Sequence, residues 1–142
     1  MILFDTNIFV DMLSGVREAT IELGYYDDPA ISVITYIELR SGELLRPRDK
    51  PLLDAIFAEF HVFQLDSRVI EASISIRGNG LVNPPKIKLP DAIIAATALA
   101  YSMPLVTRNG NDFSGAPIMV HVPYLYNSVT GIVSNRAPHF PI

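Results

Sequence analysis

Ile2-Leu3-Phe4-Asp5-Thr6-Asn7-Ile8-Phe9-Val10 decides how the rest of the chain is read. Three apolar residues run into an acid, and an apolar stretch of helical character follows. Ile2–Phe4 fits a buried strand. Thr6-Asn7 supplies helix-start chemistry for Ile8–Leu13, and Ser14-Gly15 closes that helix. Since Thr6 or Asn7 can cap the helix, Asp5 has no structural duty at the strand end. The same alternation recurs further on. Strands are expected at Ala30–Ile34, His61–Leu65, Leu105–Thr107 and Ile118–Val122. Helices are expected over Arg17–Leu23, Thr35–Leu45, Pro51–Phe60, Asp66–Arg77 and Asp91–Ser102. Gly78–Pro90 is rich in Gly, Asn and Pro and reads as a loop. Strands alternating with helices predict an α/β fold, a parallel sheet of about five strands sandwiched between helices in three Rossmann-like layers. Ligands of such sheets bind outside the carboxyl ends of the strands.

The chain has 142 residues, enough for one domain with a sizeable core. Apolar residues make up 49%, which excludes a disordered polypeptide. There is no cysteine, hence no disulfide framework and no thiolate metal site. Asp5 and Asp11 interrupt the apolar start, so it does not read as a signal peptide. The longest apolar run, Ala92–Met103, is too short to span a bilayer. A cytoplasmic protein is expected. The formal net charge of −4 taken alone argues against binding nucleic acid. Its distribution softens that objection. Arg40, Arg46, Arg48 and Lys50 follow Glu38, Arg77, Lys86 and Lys88 precede Asp91, and Arg108 precedes Asp112.

Asp5, Glu38, Asp91 and Asp112 each stand near a point where a strand ends or a helix begins. Each has a structural alternative. Thr35-Tyr36-Ile37-Glu38 has the form of a capping box, which alone would account for Glu38. Asp91 follows Pro90 in a first helical turn, where the helix dipole favours a carboxylate. Asp112 could close a turn in Asn109-Gly110-Asn111-Asp112. If the fold gathers the four, like charges raise one another's pKa and a hard cation relieves the repulsion. Asp11, one helical turn beyond Asn7, is an outside candidate for a ligand and reads first as a solvated helix face. His61, His121 and His139 are isolated, with no zinc-like spacing. No nucleophile elbow or phosphate loop is present. Residues beyond Tyr124 depart from the strand–helix pattern and read as an arm or a frayed tail.

Four stretches together resemble the PIN-domain nucleases, in particular the VapC-type toxins of toxin–antitoxin operons. They are Leu3-Phe4-Asp5-Thr6-Asn7, Thr35-Tyr36-Ile37-Glu38-Leu39 followed by Gly42, Leu89-Pro90-Asp91 running on to Ala98, and Thr107-Arg108-Asn109-Gly110-Asn111-Asp112-Phe113. The resemblance covers residues 1–124, leaving 125–142 as a C-terminal arm or tail. The Gly78–Pro90 segment is longer than the pattern, and the residues after Tyr124 lie outside it.

The resemblance implies an endoribonuclease dependent on Mg²⁺ or Mn²⁺, with Asp5, Glu38, Asp91 and Asp112 as the acidic quartet. Asp5 and Asp91 would be direct metal ligands, and Asp112 a ligand directly or through water. Glu38 would hold or help deprotonate the attacking water. Thr107 and Asn109, with Thr6 and Asn7, would orient the carboxylates. Arg40, Lys86, Lys88 and Arg108 are candidates for RNA phosphate contacts, and Tyr25, Tyr26 and Tyr36 could stack bases or pack internally. A VapB-type antitoxin, an RNA substrate and a homodimer are the implied partners. Apolar helix faces around Ile8–Leu13 and Ile37–Leu45 are available for such contacts. Rival readings are a metal-dependent phosphatase and a non-catalytic PIN-fold RNA-binding or interaction module. Cleavage of structured DNA is a third.

Overall fold

The computed structural model describes Met1–Ile142, and its centre is a five-stranded parallel sheet. The strands are β1 (Ile2–Phe4), β2 (Pro29–Ser32), β3 (His61–Phe63), β4 (Leu105–Val106) and β5 (Val120–His121), in the order β3-β2-β1-β4-β5. Six α-helices accompany them: α1 (Thr6–Leu13), α2 (Arg17–Tyr25), α3 (Val33–Gly42), α4 (Lys50–Phe57), α5 (Ser67–Val82) and α6 (Leu89–Ala100). The strands are shorter than the sequence suggests, because pairing is confined to two or three residues in most of them.

Period-two alternation along β1 feeds two separate cores. Ile2 and Phe4 face one core, with Ile8, Phe9, Met12, Leu23, Leu53 and Phe57 from α1, α2 and α4. Leu3 faces the other, with Val69 and Ile76 of α5 and the Ala92–Ala96 run of α6. Helices therefore cover both faces of the sheet, and β1 is buried on both sides. All five strands run the same way. From β1 the chain builds outward through β2 to β3, then returns to place β4 on the opposite flank. The reversal lies between β1 and β4, whose carboxyl ends point to the same edge. Ligands of open α/β sheets bind in the crevice at such a switch point.

Two boundaries differ from the sequence reading. α3 begins at Val33, because Ser32 is the cap and its hydroxyl accepts from the Ile34 amide. Thr35 is thus inside the helix and fully buried, so no capping box joins it to Glu38. α5 continues through Gly78 and Gly80 to Val82, into the stretch expected as loop. Gly80 allows a close approach there: a Cβ would stand 3.2 Å from the Pro85 carbonyl and the Ile87 amide, tighter than ordinary contact, where the chain doubles back.

The residues past Tyr124 form a hairpin, β6 (Leu125–Asn127) paired antiparallel with β7 (Ile132–Ser134). The chain then returns to α2. Arg136 pairs with Glu18, His139 Nδ1 lies 2.8 Å from Glu22, and the Phe140 amide donates to the Tyr26 hydroxyl. The last residues thus lie against α2 and Tyr26. His121 and His139 are not isolated either, since Glu22 stands beside both. No helix is long and apolar enough to cross a membrane.

Candidate active site

Asp5 directly follows β1 and Thr107 directly follows β4, side by side at the switch point. Asp5 is the N-cap residue of α1, and its Oδ1 accepts from the Thr6 amide at 2.8 Å. The cap position expected for Thr6 or Asn7 therefore belongs to Asp5, which has a structural duty after all. Its other oxygen, Oδ2, accepts from the Thr107 hydroxyl at 2.8 Å. Thr107 is fully buried, and its oxygen also accepts from Asn7 Nδ2 and the Asn109 amide, each at 3.1 Å. A hydroxyl has two acceptor sites and one hydrogen. With both acceptor sites filled, the single Thr107 hydrogen is directed at Asp5.

Glu38 lies in the middle of α3, exposed, and is held from the side. The Thr6 hydroxyl donates to Glu38 Oε1 at 2.8 Å and lies 2.9 Å from the Thr35 hydroxyl. With the Thr6 hydrogen committed to Glu38, Thr35 must be the donor of that second bond. Thr35 is a support that sequence reasoning missed, because the capping-box reading placed it at the helix end. Its apolar neighbours gave no other signal.

Asp91 is in the first turn of α6, half-buried, as the sequence predicts. Asp112 is exposed on the 3₁₀ turn Gly110–Phe113 that follows β4. The two carboxylates line a small cavity of about 120 Å³ together with Lys86, Lys88, Asn111 and Ser114.

Charge links the four acids. The Asp5 carboxyl is pushed up to about 6, by burial first, against the lowering effect of its Thr107 and Thr6 bonds; Asp91 and Glu38 raise it further. Asp91 is also raised, by burial and then by Asp112 and Glu38, with Lys88 opposing. No arginine enters either balance. The donor set is entirely oxygen and its negative charge is met only by the exposed Lys88, which suits a hard divalent cation. No group of three or more acidic or histidine side chains is placed to hold one ion, however. The acids act on one another through their fields rather than by shared ligation in this conformation.

The basic candidates divide into two sorts. Arg40 is paired with Glu43 and Asp54 and lies over the Tyr36 and Phe57 rings. Arg108 is bound at Asp11, which is 2% exposed and so not on a solvated face. Lys86 and Lys88 remain exposed at the cavity. Of the tyrosines, Tyr26 is buried, Tyr36 packs on Phe57, and Tyr25 is stacked by His139 at 3.6 Å. A cavity of about 550 Å³ lies apart from the acids, between α2 and α4, with Leu23, Tyr26, Leu52, Ile56 and Phe60 in its walls.

Comparison with known proteins agrees with this architecture. The PIN domain model matches residues 2–118. A chain of a toxin–antitoxin complex from Klebsiella pneumoniae is 36% identical and superposes with a TM-score of 0.76, over 88% of this chain and 99% of that one. FitAcB from Neisseria gonorrhoeae is 28% identical, with a TM-score of 0.78 over 87% and 98% of the two chains. VapBC2 from Rickettsia felis, bound to a DNA fragment from its promoter, shares the fold at 23% identity and a TM-score of 0.75, over 85% and 98%. No curated protein matches the chain. With a parallel sheet reversing at β1 and a family model spanning residues 2–118, the chain belongs to the PIN-domain family.

Proposed function

We propose that this protein is the toxin of a VapC-type toxin–antitoxin pair and acts as an endoribonuclease dependent on Mg²⁺ or Mn²⁺. The observation that carries the reading is Asp5, 6% exposed at the sheet's switch point and bonded to no basic group, with Asp91 and Asp112 facing one cavity nearby. Asp5, Asp91 and Asp112 would hold the ion. When bound, it supplies positive charge against a phosphate oxygen and makes hydroxide accessible near neutral pH.

The chain's own groups have distinct parts in this reading. Lys86 and Lys88 draw the anionic backbone to an edge that its acids would otherwise repel. Thr107 fixes the Asp5 carboxylate. Thr6 occupies Glu38 Oε1, which leaves Oε2 free to take a proton from the attacking water. In-line attack by water leaves 5′-phosphate and 3′-hydroxyl ends. A VapB-type antitoxin would restrain this activity. The apolar groove between α2 and α4 is a suitable seat for one of its segments, and pairing with a second copy of the chain belongs to the same reading. A cytoplasmic location belongs to the same reading.

The rival is a non-catalytic PIN-fold module, favoured by the absence of a side-chain group placed to hold an ion. Incubating total RNA with the protein in Mn²⁺, Mg²⁺ or EDTA separates the two. The nuclease gives discrete cuts with 5′-phosphate ends that disappear in EDTA and in Asp91→Asn. Intact RNA under every condition leaves the module reading.

A further inference from the structure

Asp11 is fully paired although almost no solvent reaches it. Its Oδ2 accepts from Arg108 Nε at 2.6 Å and from the Tyr124 hydroxyl at 2.8 Å, and its Oδ1 from Arg108 Nη2 at 3.0 Å. Neither Asp11 nor Tyr124 belongs to the acidic quartet, and Tyr124 lies beyond the stretch matched by the family model. Stability is a weak account of the cluster, because a buried ion pair roughly offsets its own desolvation cost.

The clamp leads to the candidate site. Arg108, fixed at its guanidinium, presents its backbone amide to Asn7 Oδ1 at 3.2 Å. Asn7 Nδ2 and the Asn109 amide then fill both acceptor sites of Thr107, whose hydrogen reaches Asp5. We infer that Asp11, Arg108 and Tyr124 are positioning residues: their clamp sets the backbone of residues 107–109, which orients Thr107 and, through it, the Asp5 carboxylate. The consequence for cleavage rests on the nuclease reading; the clamp itself does not. The Tyr124 hydroxyl is suited to the part, since burial and the Asp11 charge push its pKa up and keep it a donor.

Tyr124→Phe removes one hydroxyl and keeps the ring in the core. Three measurements are made beside wild type: backbone amide NMR shifts, calorimetric titration with Mn²⁺, and RNA cleavage at a temperature where both proteins are folded. The expected result is displaced amide shifts at Asn7, Thr107 and Asn109. Mn²⁺ affinity should weaken about 3- to 10-fold, below the loss usual for a residue that touches a metal ligand directly. Turnover should fall by a similar factor with KM unchanged. Asp11→Asn should move all three further in the same direction. Shifts confined to Asp11, Arg108 and the neighbours of the Tyr124 ring, with wild-type Mn²⁺ affinity and turnover, overturn the inference whatever the change in Tm. If Tyr124→Phe does not fold, Arg108→Lys is read in the same three ways, since it keeps the charge and loses the two-point fork. A wild-type protein that neither binds Mn²⁺ nor cuts RNA, while the shifts still reach Thr107, sinks the nuclease reading and leaves the clamp standing.

Discussion

Asp5 and Asp11 stand near opposite ends of α1 and are 6% and 2% exposed. Asp11 meets a guanidinium and a phenol, so its charge is answered within the fold. Asp5 meets one hydroxyl, one amide and the fields of two further carboxylates, with no cation in its balance. Burial alone therefore does not distinguish a site from a strut. Burial without a counter-charge does, because it stores a demand for positive charge that a ligand can meet.

Asp5→Asn tests that difference most severely. The side chain keeps its size and loses its charge, so RNA cleavage should fall on the order of 10³-fold, equivalent to about 4 kcal/mol. Circular dichroism should show the fold unchanged. Residual cleavage near the wild-type rate would place Asp5 with Asp11 as a structural acid. The reciprocal change is Arg108→Ala, which turns Asp11 into a buried charge with no counter-ion. It should destabilise the protein by about 3 kcal/mol in urea denaturation. A loss of less than about 1 kcal/mol would mean that Asp11 was never dependent on its partner.

Asp5 should also show itself in the response of stability to pH. The folded Asp5 carboxyl titrates at about 6 against 3.8 for the free group. Between those values the folded protein holds more protons than the unfolded one. This contribution to stability is complete below pH 4 and is lost as pH rises through 6. Metal-free protein in EDTA should therefore lose stability between pH 4 and 7, and Asp5→Asn should flatten that slope. Roughly two pK units correspond to about 3 kcal/mol, less about 1 kcal/mol for the weakened Thr107 bond. A net gain on the order of 1–2 kcal/mol at pH 7 is expected for Asp5→Asn without metal. Equal slopes for the two proteins would remove the unanswered charge from Asp5.

Much of this contrast could be read from the chain, and the part that could not has a physical reason. β1 followed by an acid and α6 opening at Leu89-Pro90-Asp91 are local patterns, and the structure keeps both. The alternation of strands and helices gave the parallel sheet, because neighbouring residues determine it. Asp11 was misread because its partners lie far along the chain, at Arg108 and Tyr124. An acid on a short helix looks solvated until those residues return to it. The same holds for Glu22 with His121 and His139; Ser32 displacing Thr35 as the cap of α3 is instead a local choice between two hydroxyl residues three positions apart. Asp5 was given too little structural work, since a strand-terminal acid can cap a helix and keep one oxygen for other partners.

Lys88 allows the comparison to be sharpened at its small end. It is the cation that acts on Asp91, as Arg108 acts on Asp11, but it is exposed and its effect on Asp91 is the least of the causes at work there. Solvent and salt screen such a charge, so it cannot neutralise the acids as a buried guanidinium does. Its use would be to meet the substrate. Lys88→Ala should raise KM for RNA a few-fold, leave turnover almost unchanged, and lower the slope of log affinity against log salt by about 0.7, one phosphate contact on a single strand. If turnover falls while the salt slope stays the same, Lys88 works on the carboxylates instead. It would then be a weak, solvent-facing counterpart of Arg108, and Asp91 would differ from Asp11 in degree rather than in kind.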